Sequence, residues 1–299
     1  MELRVLRYFV AVVQEQNIIR AAKSLHLTQP TLSRQLMDLE AELGCKLFTR
    51  SNRQISLTTQ GHFLYKHAQE ILALVDKTTA QFKEPEEIIS GNIFIGCAET
   101  EAMRSVAKVM KKINSKYPQV QFHLYSGNAD EITAKLDSGV YDFAILSDYD
   151  MKKYNYIRLL TKNCWGVLMR KDSPTAKLNR ITPQILWDLP LIVSNQSAVD
   201  SKIAGWIEKD MKELNIVASY NLINNASILA EEGLGYVLCF DKLINTTGDS
   251  NLCFRPLYPS LDTNIHIAWK KNQVFTKQAK VFLDCLQTYL KEQQDNSLI

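Results

Sequence analysis

Apolar positions in the first sixty residues recur at helical spacing, with two interruptions. Leu3, Leu6, Phe9, Val10 and Val13 give a first helix one apolar face. A short second helix over residues 18–25 carries Ala21 and Ala22, small side chains where two helices must cross closely. A third starts after Thr28, whose hydroxyl can accept from an orphan amide at the N-cap. Pro30 falls in the first turn, where its missing N–H does little harm. Leu32, Leu36, Leu39 and Leu43 then follow at gaps of four, three and four, which predicts an inward stripe ended by Gly44. The opposite face carries Thr31, Arg34, Gln35 and Asp38, side chains suited to base edges and phosphate oxygens. Two helices joined by a short polar break predict a helix-turn-helix whose second member reads DNA.

The period then changes. Lys46-Leu47-Phe48-Thr49-Arg50 and Arg53-Gln54-Ile55-Ser56-Leu57 alternate about a Ser51-Asn52 turn, which predicts a small hairpin. A basic hairpin after a recognition helix is a wing, with Arg50 and Arg53 along the DNA backbone or in the minor groove; the alternative for either is a solvated turn charge. A long helix follows over residues 58–84, capped by Thr58 or Thr59 and ended near Pro85. Leu57, Gly61, Leu64, Ala68, Ile71, Val75, Thr78 and Phe82 recur on it at gaps of four and three, an a/d seam. Some 25 residues at helical rise span about 37 Å, so the seam predicts a two-helix dimerisation arm. Packing on the C-terminal part of the same chain is the alternative.

From about residue 91 strands alternate with helices. Asn92–Cys97, Val120–Tyr125 and Asp142–Leu146 read as strands separated by helices through Val106, Val109 and Ile113 and over residues 132–139. The pattern restarts with strands at 165–169, 190–193, 216–220 and 235–239, a late strand at 265–269 and a closing helix at 279–290. Repeated strand–helix–strand units imply parallel sheets, and two α/β lobes joined by two crossings form a hinged cleft of the kind that binds small molecules. The organisation expected is thus an all-α winged helix-turn-helix domain over 1–57, a linker helix over 58–90, and a doubly wound two-lobed α/β domain over 91–299. Lobe I takes about 91–160 and 265–299, and lobe II about 161–264.

Composition changes this picture little. At 299 residues and 46% hydrophobic content the chain has room for two or three domains with real cores. A net charge of +3 says nothing by itself, but residues 1–66 hold nine Lys/Arg against five Asp/Glu, so the positive excess coincides with the helix-turn-helix. No apolar run approaches the roughly 20 residues needed to span a bilayer, and Met1-Glu2-Leu3-Arg4 runs into a helix without a secretory pattern. A cytoplasmic protein with no membrane partner is expected. The cysteines at 45, 97, 164, 239, 253 and 285 form no C-x-x-C pair and the histidines are scattered, which predicts reduced thiols, no metal and no cofactor. No G-x-G-x-x-G, G-x-x-x-x-G-K-[ST] or G-x-S-x-G occurs, so no enzyme is expected; a doubly wound enzyme and a solute-binding protein are the alternatives.

The order of parts and several strings resemble the LysR-type transcriptional regulators: the block from Arg20-Ala21-Ala22 to Leu36, Leu47-Phe48-x-Arg50, Leu57-Thr58-x-x-Gly61, Gly139-x-x-Asp142-x-Ala144-Ile145, Leu189-Pro190-Leu191-Ile192 and Glu232-Gly233-Leu234-Gly235. The resemblance covers essentially the whole chain, and its first sixty residues are the specific part. It implies DNA contacts at Thr28, Gln29, Pro30, Thr31, Ser33, Arg34, Arg50 and Arg53, and a periplasmic-binding-protein-like effector domain. It further implies a dimer or tetramer on an interrupted inverted repeat in double-stranded DNA, a small-molecule effector that sets activation or repression, and RNA polymerase as a further partner.

The chain departs from the family pattern at two places. Asn17-Ile18-Ile19 stands where a Ser-Phe-Thr type start to the second helix is common. Glu99-Thr100-Glu101 follows the first strand of the effector domain, where many members have neutral neighbours and hold an anion on helix amides. Either Thr100 caps the next helix and the glutamates favour its positive end, or the effector is cationic, zwitterionic or neutral. Position at strand C-terminal ends adds Ser126, Asn128, Ser147, Ser194, Gln196, Asn225 and Asp241 as cleft candidates. Half of these are expected to line the pocket, since such residues also favour turns and caps.

Overall fold

In a computed structural model that describes residues 1–50, 55–83, 88–147, 151–195 and 197–296, the chain divides into two compact units, Met1–Glu84 and Pro85–Ile299. In the first, α1 (Leu3–Glu15), α2 (Ile18–Ser24) and α3 (Gln29–Leu43) close over Leu6, Phe9, Val12, Ala21, Ala22, Leu32, Leu36 and Leu39. Each large apolar side chain so buried contributes roughly 1.5–3 kcal/mol. The stripe on α3 departs from expectation in its last turn. Leu43 is 40% exposed, and Glu40, one turn after Leu36, faces inward at 7%. A straight helix drifts away from a strict seven-residue repeat, so the inward line reaches Glu40 before Leu43. Gly44 ends the helix at φ +65°, a left-handed conformation that favours glycine.

The strands β1 (Phe48–Arg50) and β2 (Ile55–Leu57) pair antiparallel, Phe48 opposite Leu57 and Arg50 opposite Ile55. Arg53 lies outside the described residues. Thr58 Oγ1 then accepts from the Gly61 amide at 3.0 Å and donates to the Lys46 carbonyl at 2.7 Å, capping α4 (Thr59–Lys83). The seam on α4 is divided. Leu64 and Ala68 of the seam, and Leu72 beside it, are buried in the core that α1 and α3 share, and Arg7 on α1 pairs with Asp76 on α4. The apolar positions of the first half are therefore satisfied inside this unit, because α1 offers them a complementary face. Farther along, Leu74 is exposed and Phe82 is 86% exposed.

At Gly61 a Cβ would stand 2.1 Å from the Leu47 carbonyl oxygen. Gly61→Ala is expected to destabilise this unit by about 1–3 kcal/mol through overpacking. All four tryptophans, at 165, 187, 206 and 269, belong to the second unit. The loss should therefore read as helical circular dichroism melting earlier while tryptophan fluorescence keeps its midpoint. An unchanged dichroism melt would show that the close approach is not rigid.

The second unit begins as alternation predicts: β3 (Gly91–Cys97), α5 (Met103–Lys116), β4 (Val120–Ser126), α6 (Ala129–Asp137) and β5 (Phe143–Ser147). β3 lies parallel to both β4 and β5, and buried Asp142 ties the loop before β5 to β3 by accepting from the Phe94 amide at 2.8 Å. Next comes β6 (Tyr154–Arg170), seventeen residues where the sequence suggests only its last third. Then follow α7 (Pro183–Leu186), β7 (Leu191–Ser194), α8 (Ser197–Ile207), β8 (Ile216–Tyr220), α9 (Ile223–Glu231), β9 (Tyr236–Phe240), β10 (Leu252–Pro256), β11 (Asp262–Lys270) and α10 (Lys277–Asn296).

Among the described residues the strand order is β4-β3-β5-β11-β6-β9-β7-β8, with β10 also on β6. The sheets are mixed rather than purely parallel, since β11 runs antiparallel to β5 and β6, and β6 antiparallel to β9. β6 passes without a break through residues 160 and 161, where the sequence suggests a lobe boundary. Its first part pairs with β11 in one lobe and its last part with β9 and β10 in the other. Separate cores fill the lobes, one around Phe143, Ile145 and Phe282, the other around Val167, Leu191 and Ile203. Two strands crossing side by side leave a cleft at the C-terminal ends of the parallel strands.

Candidate functional site

Two arrangements in the chain present chemistry outward. On α3, Leu32, Leu36 and Leu39 anchor one face, which leaves Gln29, Pro30, Thr31 and Arg34 exposed and Ser33 half-buried on the other. Thr28 caps the helix, its Oγ1 accepting from the Thr31 amide at 3.4 Å and bonding the Thr31 hydroxyl at 2.8 Å. Gln29 Nε2 donates to Ser33 Oγ at 2.9 Å. These bonds hold the first two turns in a fixed pose, with Arg34 projecting from the second. The preceding helix is capped despite its unusual start, for Asn17 Oδ1 accepts from the amides of Ile19 and Arg20 at 2.8 and 3.1 Å.

Sequence reasoning missed Glu40. Its Oε1 accepts from the Leu47 and Phe48 amides at 2.9 and 3.3 Å, and its Oε2 from Lys46 Nζ at 2.7 Å. Burial pushes this carboxyl up, but Lys46 and the two amides more than offset it, so its pKa lies below the ordinary glutamate value. The carboxylate thereby fixes the start of the hairpin against the recognition helix. Arg50 ends β1, opposite Ile55.

The cleft of the second unit encloses about 470 Å³ including its open mouth. Of the residues proposed from sequence, Glu99, Ser147 and Ser194 line it. Glu99 reaches from the loop after β3 to the other lobe, where its Oε2 accepts from the Ile223 amide at 2.6 Å in the first turn of α9. Ser194 is 5% exposed, and its hydroxyl has no hydrogen-bond partner among the described residues.

The other sequence candidates are engaged elsewhere. Thr100 is buried, donating to Asn163 Oδ1 at 2.9 Å and accepting from the Ala102 amide at 3.1 Å, so it caps the turn before α5 rather than α5 itself. Glu101 pairs with Arg104 at 2.7 Å, which holds its carboxyl below the usual range, and Lys242 adds to that effect. Asn128 caps α6, accepting from the Glu131 amide at 2.8 Å. Ser126 is exposed at the end of β4, and Asp241 accepts from the amide of Lys242 at 2.8 Å. Asn225 is exposed in the first turn of α9. Gln196 lies outside the described residues.

The cleft instead gains Trp165, Tyr220 and Phe240, none flagged by sequence. The Trp165 and Phe240 ring centroids are 4.4 Å apart, and Trp165 Nε1 donates to Thr263 Oγ1 at 3.0 Å. The Tyr220 hydroxyl donates to the Leu238 carbonyl at 2.7 Å, and burial, with Cys239 and Glu99 nearby, raises its pKa well above the usual value. Phe240 and Tyr220 end their strands, a position that could have singled them out had aromatic residues been weighed with the polar ones.

Both arrangements lie in domains that match known families. Residues 3–62 match the profile of the bacterial regulatory helix-turn-helix protein, lysR family, and residues 87–291 that of the LysR substrate binding domain. The chain belongs to the LysR family. It is a DNA-binding transcriptional regulator with an effector-binding domain, the first spanning the helix-turn-helix and the second the two-lobed unit.

Among relatives, the HTH-type transcriptional regulator BsdA of Bacillus subtilis is 37% identical over 146 residues, 48% of this chain and 50% of that one. The uncharacterized HTH-type transcriptional regulator YvbU of the same organism is 25% identical over 95% of this chain and 97% of that one. The crystal structure of full-length CbnR with its target DNA superposes with a TM-score of 0.73 over 97% of this chain and 100% of that one, at 20% identity, a likeness of fold. Among the described residues no helix is long and apolar enough to cross a membrane.

Proposed function

We propose that two protomers of this LysR regulator each place α3 in the major groove of one half of an inverted repeat. In this reading Thr28, Gln29, Pro30, Thr31, Ser33 and Arg34 make the base and phosphate contacts, and Arg50 and Arg53 follow the flanking backbone. The observation that carries it is the exposed row Gln29, Pro30, Thr31 and Arg34, held outward by three buried leucines on the opposite face of the same helix. The 1–57 head, the 58–90 helix and the 91–299 effector part then divide the labour. The free apolar positions of the distal half of α4, Leu74 and Phe82, serve pairing of protomers, since the proximal half is committed to α1. The protein acts in the cytoplasm as a regulator and not as an enzyme, in keeping with the names its relatives carry.

Glu99 gives the cleft a means of signalling. Its bond to the Ile223 amide joins the lobes, and an effector that competes for either group shifts the balance between two lobe arrangements. Only a ligand with different affinities for the two arrangements can do so.

Genome-wide mapping of the bound sites, followed by footprinting of the strongest, tests the reading. Protection is expected over two symmetric half-sites spaced by about one helical turn of DNA, 10–10.5 bp, or a multiple of it. Affinity should fall linearly in log–log form with salt, by a slope of about −0.9 per phosphate neutralised. A single unpaired half-site, or salt-insensitive binding, would contradict it.

A further inference from the structure

The lining of the cleft narrows the chemistry of its ligand. Glu99 places a carboxylate of the protein's own on the first turn of α9, where amides and the helix dipole favour an anion. A ligand carboxylate approaching that turn meets a like charge already seated there. Among the described residues no lysine, arginine or histidine lines the cleft. Lys202, on the neighbouring α8, is turned to the Asp262 carbonyl and Thr263 Oγ1 at 2.9 and 2.8 Å. Arg104 is drawn to Glu101. Trp165, Phe240 and Tyr220 supply aromatic surface beside the Glu99 carboxylate. Ser194 supplies a buried hydroxyl with no partner among the described residues.

We propose that the effector carries an ammonium group, which pairs with Glu99 against the Trp165–Phe240 aromatic surface while a polar atom of the ligand bonds Ser194 Oγ. This assignment rests on the cleft being the effector site. A carboxylate, the absence of basic side chains among the described lining residues and an aromatic wall together favour a cation, since ring faces attract positive charge most strongly where water is excluded. When Glu99 turns to the ammonium it releases the Ile223 amide, so ligand binding and loss of the bond between the lobes are one event. The ammonium belongs either to a plain amine or to an amino acid whose own carboxylate takes over the vacated turn of α9.

Two matched series of probes separate these cases: 2-phenylethylamine, phenylalanine and 3-phenylpropionate; and n-propylamine, 2-aminobutyrate and butyrate. Each is titrated into the full-length protein by calorimetry. Trp165 emission is followed in parallel, isolated as the difference between the wild type and Trp165→Phe. In at least one series the ammonium-bearing members are expected to bind about tenfold or more tighter than the carboxylate, with a change in Trp165 emission. Glu99→Gln, with its melting temperature checked, is expected to erase that preference. An amine stronger than the zwitterion assigns a plain amine, and the reverse order an amino acid.

Preference for the carboxylates, silence of all six probes, or a preference that survives Glu99→Gln overturns the ammonium assignment while leaving the cleft as effector site. Heat of binding without any Trp165 response puts the ligand elsewhere, and then the cleft reading itself fails.

Discussion

Arg34→Ala is expected to weaken operator binding by about 1–3 kcal/mol, roughly 5- to 150-fold, if the guanidinium reads a guanine in the major groove. The side chain is exposed on the second turn of α3, on the face opposite buried Leu32 and Leu36. The bonds Thr28–Thr31 and Gln29–Ser33 stiffen the turn before it. A bidentate pair with O6 and N7 of guanine would be lost entirely on truncation. The discriminating measurement is a panel of operator variants, each changed at one base pair. Relaxed preference at one position marks a base reader. A uniform loss on every sequence, with the salt slope reduced by about one unit, marks a phosphate contact instead. No loss on any sequence would remove Arg34 from the interface.

Glu40→Ala should destabilise the DNA-binding head by about 2–4 kcal/mol, because it strands the Leu47 and Phe48 amides, while the exposed Lys46 ammonium turns to water. The isosteric change Glu40→Gln keeps the volume and removes the charge. Since Lys46 and the two amides hold this carboxyl below its ordinary value of 4.5, its contribution is complete above that pH and is lost as pH falls through the lower folded value. The wild-type head should therefore lose stability on acidification below about 4.5, and the Glu40→Gln head should lose less over the same interval. Helical dichroism of the full chain as a function of pH measures both. Equal acid profiles for the two proteins would show that Glu40 does not carry the effect. Operator affinity should fall with either variant even at neutral pH, because the hairpin that bears Arg50 is set against α3 through this carboxylate.

These two residues mark how far the pattern of the chain could be read. Arg34 was legible, because a helix with three leucines on one face must expose what lies opposite. Glu40 was not, because a charged residue at an inward position reads as a surface residue until the chain after Gly44 is seen to turn back and offer two amides. The seam on α4 shows the same limit. Its spacing is real, but spacing cannot say whether Leu64 and Ala68 meet α1 or a second chain, and α1 takes them, together with Leu72 next to the seam. In the cleft, Glu99 and two of the seven candidates named from strand ends, Ser147 and Ser194, line the wall, fewer than the half expected, while Thr100, Asn128 and Asp241 turn their polar atoms to local bonds.

By itself the sequence determined the local and periodic features. The helix-turn-helix, its caps at Thr28 and Gly44, the hairpin, the long helix and the alternation of strands and helices all follow from spacing and from residue preferences that act within a few positions. Tertiary structure alone decided everything that depends on distant meeting. It made one continuous β6 of the crossing and brought Trp165 beside Phe240. It also set Glu99 on the amide of Ile223, 124 positions away in the chain. That last contact uses a backbone N–H, which every residue but proline possesses, so nothing in the letters of the sequence could mark it. Its significance comes from where α9 begins and which carboxylate the fold of the other lobe carries to it.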